Sequence, residues 1–149
     1  MRHYLLSVAT LIGLCGALPA MAGIHVGLGP VDEIQGKGSN TLTLSWENQA
    51  RHPWEVMVGV IDERDSTIIS TSRVYFGSVS KRFTWKGWFA QGGIAATNSN
   101  TEVLSEHWQF MTGIGYRHDR FTVSLRHLSN ANTGGRNRGE NLLLFQYGF

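Results

Sequence analysis

The sequence contains one cysteine and three prolines, and its 13 basic residues nearly balance its 11 acidic residues. The cysteine, Cys15, lies in a short apolar segment near the start, so the rest of the chain can form neither a disulfide nor a thiolate metal site. Balanced charge argues against nucleic acid as a partner. The apolar segment is shorter than the about 20 residues of a membrane-spanning helix, and no second such segment follows.

The first residues have the pattern of a secretory signal peptide. Arg2 supplies a positive charge, residues 5–18 form an apolar run, and Ala20 and Ala22 place small side chains at the two positions that a signal peptidase inspects. The pattern predicts export from a bacterial cytoplasm, with residues 1–22 as the signal peptide and residues 23–149 as the mature domain.

Beyond the leader, apolar and polar residues alternate with period two, which indicates β-strands. The composition agrees, because glycine and aromatic residues are frequent and suit strands and turns better than helices. Turn-forming residues separate the segments, and the pattern is least regular in the fourth and fifth, where a bulge is expected. The segments lie at residues 24–29, 41–46, 54–60, 67–78, 82–97, 107–116, 121–126 and 141–149. Eight such strands predict an all-β fold, an eight-stranded antiparallel transmembrane β-barrel.

A soluble barrel or sandwich would show the same alternation with its faces reversed. Aromatic residues near strand ends, such as Trp46 and Trp108, favour the interfacial girdles of a membrane barrel. The final strand alternates aromatic residues and ends on Phe149, which resembles the signal by which outer-membrane barrels are recognised for assembly. These features predict a multi-pass β-barrel of the bacterial outer membrane that meets the assembly machinery during folding.

The seventh predicted strand carries two polar residues on its apolar face. Its odd-numbered residues in 121–125 are apolar, and the same face continues with His127 and Ser129. Polar residues facing lipid are costly unless they have a function. Side chains two residues apart on a strand lie roughly 6.6 Å apart and project in the same direction, so this imidazole and hydroxyl can form a base–nucleophile pair. The alternative is that both are interfacial residues at a strand end.

A third group should hold the other nitrogen of the imidazole. Glu140, which opens the eighth strand, is the expected candidate, and Asn130, Asn137 or backbone N–H groups of the intervening loop can bind an oxyanion. Glu140 has the opposite parity to the apolar face that ends at Phe149, so a regular strand would turn it inward. A bulge, or a position within the loop, would be needed for Glu140 to reach His127.

The motif residues together resemble the C-terminal signature of the PagL family of outer-membrane lipid A 3-O-deacylases. The residues that carry the likeness are Arg126-His127-Leu128-Ser129-Asn130-Ala131, Asn137 and Glu140-Asn141, within residues 105–149. The resemblance implies a barrel that hydrolyses the ester-linked acyl chain at the 3-position of lipid A in lipopolysaccharide. It implies His127 as base, Ser129 as nucleophile and Glu140 as the acid that orients the histidine. Asn130 and Asn137 match family asparagines near the reacting carbonyl.

The predicted function is therefore that of a serine esterase that acts on lipopolysaccharide through an acyl-enzyme, without metal or cofactor. With a periplasmic N-terminus, the end of the seventh strand and the loop at 130–139 lie at the cell surface. Two alternatives remain open at this point: a non-enzymatic structural or adhesive barrel, and a phospholipid esterase, because the His-x-Ser pair specifies no head group. A partner barrel in a homodimer, or lipid packing, could gate an outward site.

Overall fold

The computed structural model describes residues 23–34, 37–65, 70–98, 100–101, 103–133 and 138–149, so the predicted signal peptide lies outside the described residues. The strands are β1 (Ile24–Ile34), β2 (Lys37–Glu47), β3 (Trp54–Ile61), β4 (Arg64–Asp65), β5 (Ser70–Thr71), β6 (Val74–Trp85), β7 (Trp88–Thr97), β8 (Trp108–His118), β9 (Phe121–Ser129) and β10 (Glu140–Gly148). Within these ranges no helix is long and apolar enough to cross a membrane.

Eight of the strands form a closed antiparallel barrel in the order β1-β10-β9-β8-β7-β6-β3-β2. Closure pairs β1 with both β2 and β10, with Ile24 opposite Trp46 and His25 opposite Gly148. A closed barrel leaves no strand edge unpaired, as a lipid environment demands. The prediction of an eight-stranded antiparallel β-barrel is confirmed, and the short ribbon of β4 and β5 is an addition that the sequence pattern did not indicate.

Side-chain burial alternates along the barrel strands, with apolar residues outside and polar residues inside. In β2, Leu42 and Leu44 are exposed, the latter by 50%, whereas Thr41 and Thr43 are buried. A water-soluble barrel would bury the leucines and expose the threonines. The outward apolar surface is that of a transmembrane barrel, as the sequence predicted.

Exposed aromatic residues mark both ends of the apolar surface. Four tryptophans lie near the barrel end at which Phe149 N donates to Ile24 O (3.0 Å), and the opposite end has Tyr75 and Trp108. The four are Trp46, Trp54, Trp85 and Trp88. Amphipathic rings at these two levels match the girdles by which membrane barrels meet the interfaces.

The hairpin between β6 and β7 differs from the prediction, which ended one strand at 78 and began the next at 82. The strand continues to Trp85, and the chain reverses at Lys86 and Gly87, whose φ angles are 48° and 85°. Two consecutive positive φ angles fit a two-residue hairpin turn that matches strand twist. The pairing register is continuous along the whole hairpin, so the expected bulge is absent from it.

The barrel interior is filled by an ion-pair network. Arg126 donates to both carboxylate oxygens of Glu55 (2.7 and 3.0 Å), and Arg82 donates to the same carboxylate (2.7 Å). Arg117 donates to Glu47 (2.8 and 2.9 Å), which also pairs with Arg82. These contacts join five strands across the lumen. They make the interior a polar core and leave the outer wall as the place where membrane-facing chemistry can occur.

Candidate active site

His127 and Ser129 lie at the end of β9, at the end of the barrel opposite Phe149. Both are half-buried and follow the exposed Phe121, Val123 and Leu125 on the outward face. The buried residues that alternate with this outward row point into the barrel. The imidazole and the hydroxyl therefore share the lipid-facing wall, on adjacent outward positions of one strand.

The imidazole of His127 is held from β10. His127 and Asn141 are directly opposed in the antiparallel register, and His127 Nδ1 lies 2.9 Å from Asn141 Oδ1. Directly opposed residues on one face of an antiparallel pair have their Cβ atoms about 4.5–5.5 Å apart. This register is the reason that two residues separated by a loop meet without any distortion of the strands.

Asn141 is in turn held from β1. Its side-chain Nδ2 donates to Asp32 Oδ2 (2.6 Å), and its backbone N donates to Asp32 Oδ1 (2.9 Å). Asp32 continues the outward face of β1 after Leu28 and Pro30 and is half-buried. Asp32, Asn141 and His127 thus form a polar row across three neighbouring strands on a wall that is otherwise apolar.

The imidazole and the Ser129 hydroxyl form no hydrogen bond with each other, although both residues lie within the described ranges. In ligand-free enzymes the hydrogen bonds of a catalytic pair are often long and tighten only when substrate binds. Ser129 lies opposite the exposed Phe110 of β8, with its hydroxyl beside the membrane-facing surface. The arrangement therefore places the imidazole and the hydroxyl on adjacent outward positions of β9.

Gly139 packs directly against the imidazole. A Cβ atom at this position would lie 2.5 Å from His127 Cε1 and 3.0 Å from Nε2, and the backbone has φ +72°. Its N–H donates to Val103 O (3.2 Å), which fixes the approach to β10. Only glycine meets both conditions without strain, and nothing in the sequence alone indicated that this glycine contacts the histidine.

Glu140 does not contact His127. It faces Leu128 in the register, points into the barrel and is 2% exposed. Its carboxylate accepts two hydrogen bonds from the Arg64 guanidinium (2.7 and 2.8 Å), and Arg64 Nη2 also donates to Asp32 O (3.0 Å). This geometry corrects the prediction that Glu140 contacts His127 and orients its imidazole. Strand β10 is regular from its first residue, so parity turns Glu140 inward and Asn141 outward.

Asn130 shapes the turn that follows β9. It is buried, its Nδ2 donates to Ser105 Oγ (3.1 Å), and its Oδ1 accepts from the N–H of Asn132 (3.0 Å). Ala131 and Asn132 both have positive φ, 51° and 63°. Asn130 therefore holds a tight turn directly after the Ser129 position, and Asn137, the second predicted oxyanion residue, lies outside the described residues.

An open groove of about 590 Å³ runs along the outer wall beside Asn141. Residues that line it come from β1, β2, β9 and β10 and include Pro30, Asp32, Ser39, Leu125, Asn141 and Leu143. Leu125 and Leu143 are exposed side chains of the apolar surface. The groove thus connects an apolar surface with the polar row that ends at His127.

Comparisons with known proteins agree with this architecture. A family model described as lipid A 3-O-deacylase (PagL) matches residues 31–149. The solved structure entitled "Crystal structure of the outer membrane enzyme PagL" matches with a TM-score of 0.52 and 16% identity, over 86% of this chain and 100% of that chain. At that identity the likeness concerns the fold. A comparison with curated proteins gave no significant match.

Proposed function

The chain belongs to the PagL family of lipid A 3-O-deacylases and is an outer-membrane β-barrel, and we propose that it is a serine esterase that releases the acyl chain at the 3-position of lipid A. The observation that carries the proposal is the outward pair of His127 and Ser129, with His127 Nδ1 fixed by Asn141 at 2.9 Å. A histidine held at one ring nitrogen beside a serine is the arrangement that activates a hydroxyl nucleophile.

The proposed reaction has two steps. Ser129 Oγ attacks the ester carbonyl while His127 Nε2 takes the hydroxyl proton, and the same proton passes to the sugar oxygen that leaves. The fatty acyl group is then an ester of Ser129. Water attacks this acyl-enzyme with His127 again as the base, which releases a free 3-hydroxy fatty acid and restores the serine.

The negative oxygen of each tetrahedral intermediate requires hydrogen-bond donors. We assign this role to Asn130 and Asn137, as the family resemblance implies, because Asn130 directly follows the nucleophile and its turn is held rigidly by the bond to Asn132 N. Donors that are fixed before the reaction stabilise charge without reorganisation, which is the largest single contribution in many acyl-transfer enzymes.

The position of the pair on the barrel suits a substrate in the outer leaflet. His127 and Ser129 lie opposite the barrel end that carries Phe149, and a periplasmic location of that end puts the pair in the leaflet that holds lipopolysaccharide. The groove beside Asn141 has exposed Leu125 and Leu143 in its wall. An apolar acyl chain can lie against these leucines while its ester linkage reaches the polar row.

The test uses the refolded protein in detergent micelles with purified lipopolysaccharide as substrate. Wild-type protein should release free 3-hydroxy fatty acid, and Ser129→Ala should lower the rate by at least about 10³-fold, the scale of nucleophile loss in serine hydrolases. Ser72→Ala, which changes an exposed serine outside the barrel strands, is the matched control and should retain activity. Full activity of folded Ser129→Ala would refute the mechanism.

Substrate and position are tested with the same preparation. Mass spectrometry of the lipid A product should show loss of one chain from the 3-position, and vesicles of phospholipid alone should yield little free fatty acid. Comparable release from phospholipid vesicles would make the protein a phospholipid esterase instead. Absence of release by folded wild-type protein from either lipid would favour a non-enzymatic barrel.

A further inference from the structure

We propose that Asp32 and Asn141 act together as the positioning residues of His127 and that they, in place of Glu140, fix the imidazole as a base. The inference rests on the proposed esterase function. It starts from one continuous row of contacts: Asp32 Oδ2 accepts from Asn141 Nδ2 at 2.6 Å, and Asn141 Oδ1 lies 2.9 Å from His127 Nδ1. Each residue comes from a different strand of the barrel wall.

The carboxylate of Asp32 determines which way the Asn141 amide faces. An ionised carboxylate only accepts hydrogen bonds, so the amide must direct its NH2 group at Asp32 and its carbonyl oxygen at His127. The backbone N–H of Asn141 donates to the other oxygen of Asp32 (2.9 Å), which fixes the carboxylate plane. The orientation of the Asn141 amide therefore follows from the chemistry of its partner, Asp32.

The amide orientation in turn selects the tautomer of the imidazole. Asn141 Oδ1 can only accept, so the neutral ring must carry its hydrogen on Nδ1. Nε2 then has the free lone pair that a general base needs to take the Ser129 proton. Asp32 thus acts on the reaction through two hydrogen bonds, although it touches neither the nucleophile nor the expected position of the substrate.

Asp32 is itself held in a way that suits this role. An acidic residue on a lipid-facing wall is costly unless it is partnered and used. Asp32 receives two hydrogen bonds from Asn141, and Arg64 Nη2 donates to its backbone oxygen at 3.0 Å. Arg64 is fixed from inside the barrel by its pair with Glu140. On this inference, Glu140 contributes to the site by anchoring Arg64, and its carboxylate also lies beside that of Asp32.

Exchange of the two side chains gives the sharpest test. Asp32→Asn replaces one of the two acceptor oxygens with an NH2 donor, so Asn141 can turn its NH2 toward Nδ1 and favour the inactive tautomer. We expect kcat to fall by at least about tenfold, up to the roughly 10⁴-fold cost of a wrong histidine tautomer, with KM little changed. The double variant D32N/N141D puts a carboxylate directly on Nδ1 and an amide behind it. It preserves net charge and hydrogen bonds and should recover kcat to within about tenfold of wild type.

The controls separate this inference from the proposed function. Asp62→Asn makes the same substitution at an exposed acid paired with Arg73 outside the barrel wall and should not change kcat. Wild-type kcat in folded Asp32→Asn, or failure of the double variant to exceed Asp32→Asn, would overturn the inference while the loss in Ser129→Ala still supported the esterase. A fall in folded Glu140→Gln as large as in Asp32→Asn would return the orienting role to Glu140. Inactive wild-type protein would instead refute the esterase function itself.

Discussion

Glu140 and Asn141 are adjacent in the chain, yet they serve opposite sides of the barrel wall. The Glu140 carboxylate binds Arg64 inside the barrel at 2.7 and 2.8 Å, and the Asn141 amide lies 2.9 Å from His127 outside. These two consecutive polar residues at the start of β10 therefore connect the packing inside the barrel with the site on its outer wall. Substitution of Glu140 should therefore mainly affect the stability of the barrel, and substitution of Asn141 should mainly affect activity.

The Arg64–Glu140 pair should make a measurable contribution to the free energy of unfolding. Both side chains are nearly inaccessible, at 1% and 2% exposure. Removal of one partner leaves the other charge buried and unpaired, which costs about 3–5 kcal/mol. Arg64→Met should therefore lower the free energy of unfolding in urea by that amount. The double variant R64M/E140L, which removes both charges, should recover most of the loss. Equal instability of single and double variants would contradict the pair as the cause.

Alternation along single strands, together with the aromatic residues at strand ends and the aromatic final strand, was sufficient to predict the fold, and alternation gave the outward positions of His127 and Ser129. The same parity showed that a regular β10 turns Glu140 inward, although the family likeness favoured it as the acid. Asp32 could not be found in this way, because its contact with Asn141 depends on closure between β1 and β10, which are 109 residues apart at this point. The packing of Gly139 on the imidazole likewise depends on a loop geometry that no periodicity encodes.

Gly139→Ala should damage the site more than the fold. The left-handed φ of +72° costs a non-glycine residue about 1–2 kcal/mol, and the new methyl would lie 2.5 Å from His127 Cε1, so the ring must move. A displacement of about 1 Å at a reacting group can cost roughly 100-fold in rate. We expect a kcat loss of that order, measured on lipopolysaccharide. Gly92→Ala, with no atom within 4 Å of its added Cβ, is the matched control and should keep both rate and stability.

Glu55 is the central anion of the lumen, and its neutralisation should destabilise the barrel. Arg82 and Arg126 both donate to it, and all three side chains are about 1% exposed. Glu55→Gln leaves two buried guanidinium groups short of one negative charge, so the free energy of unfolding should fall by about 3–5 kcal/mol. Glu63→Gln, at an exposed position between β3 and β4, should change it by less than about 0.5 kcal/mol. Unchanged stability in Glu55→Gln would show that the network only fills space.

Asn130 offers a way to separate turn formation from oxyanion binding. Its Oδ1 accepts from Asn132 N at 3.0 Å and its Nδ2 donates to Ser105 Oγ at 3.1 Å. Asn130→Asp retains an acceptor for the Asn132 N–H, and the Ser105 hydroxyl can reverse its role and donate, so the turn should persist. The variant nevertheless loses the amide donor, and we expect kcat to fall by about 10²–10³-fold, as when one oxyanion donor is removed. Asn48→Asp is the matched control, because Asn48 Oδ1 also accepts from a backbone N–H, that of Trp54 (2.9 Å), at the other end of the barrel. Full activity in Asn130→Asp would show that this side chain only shapes the turn and that other donors bind the oxyanion.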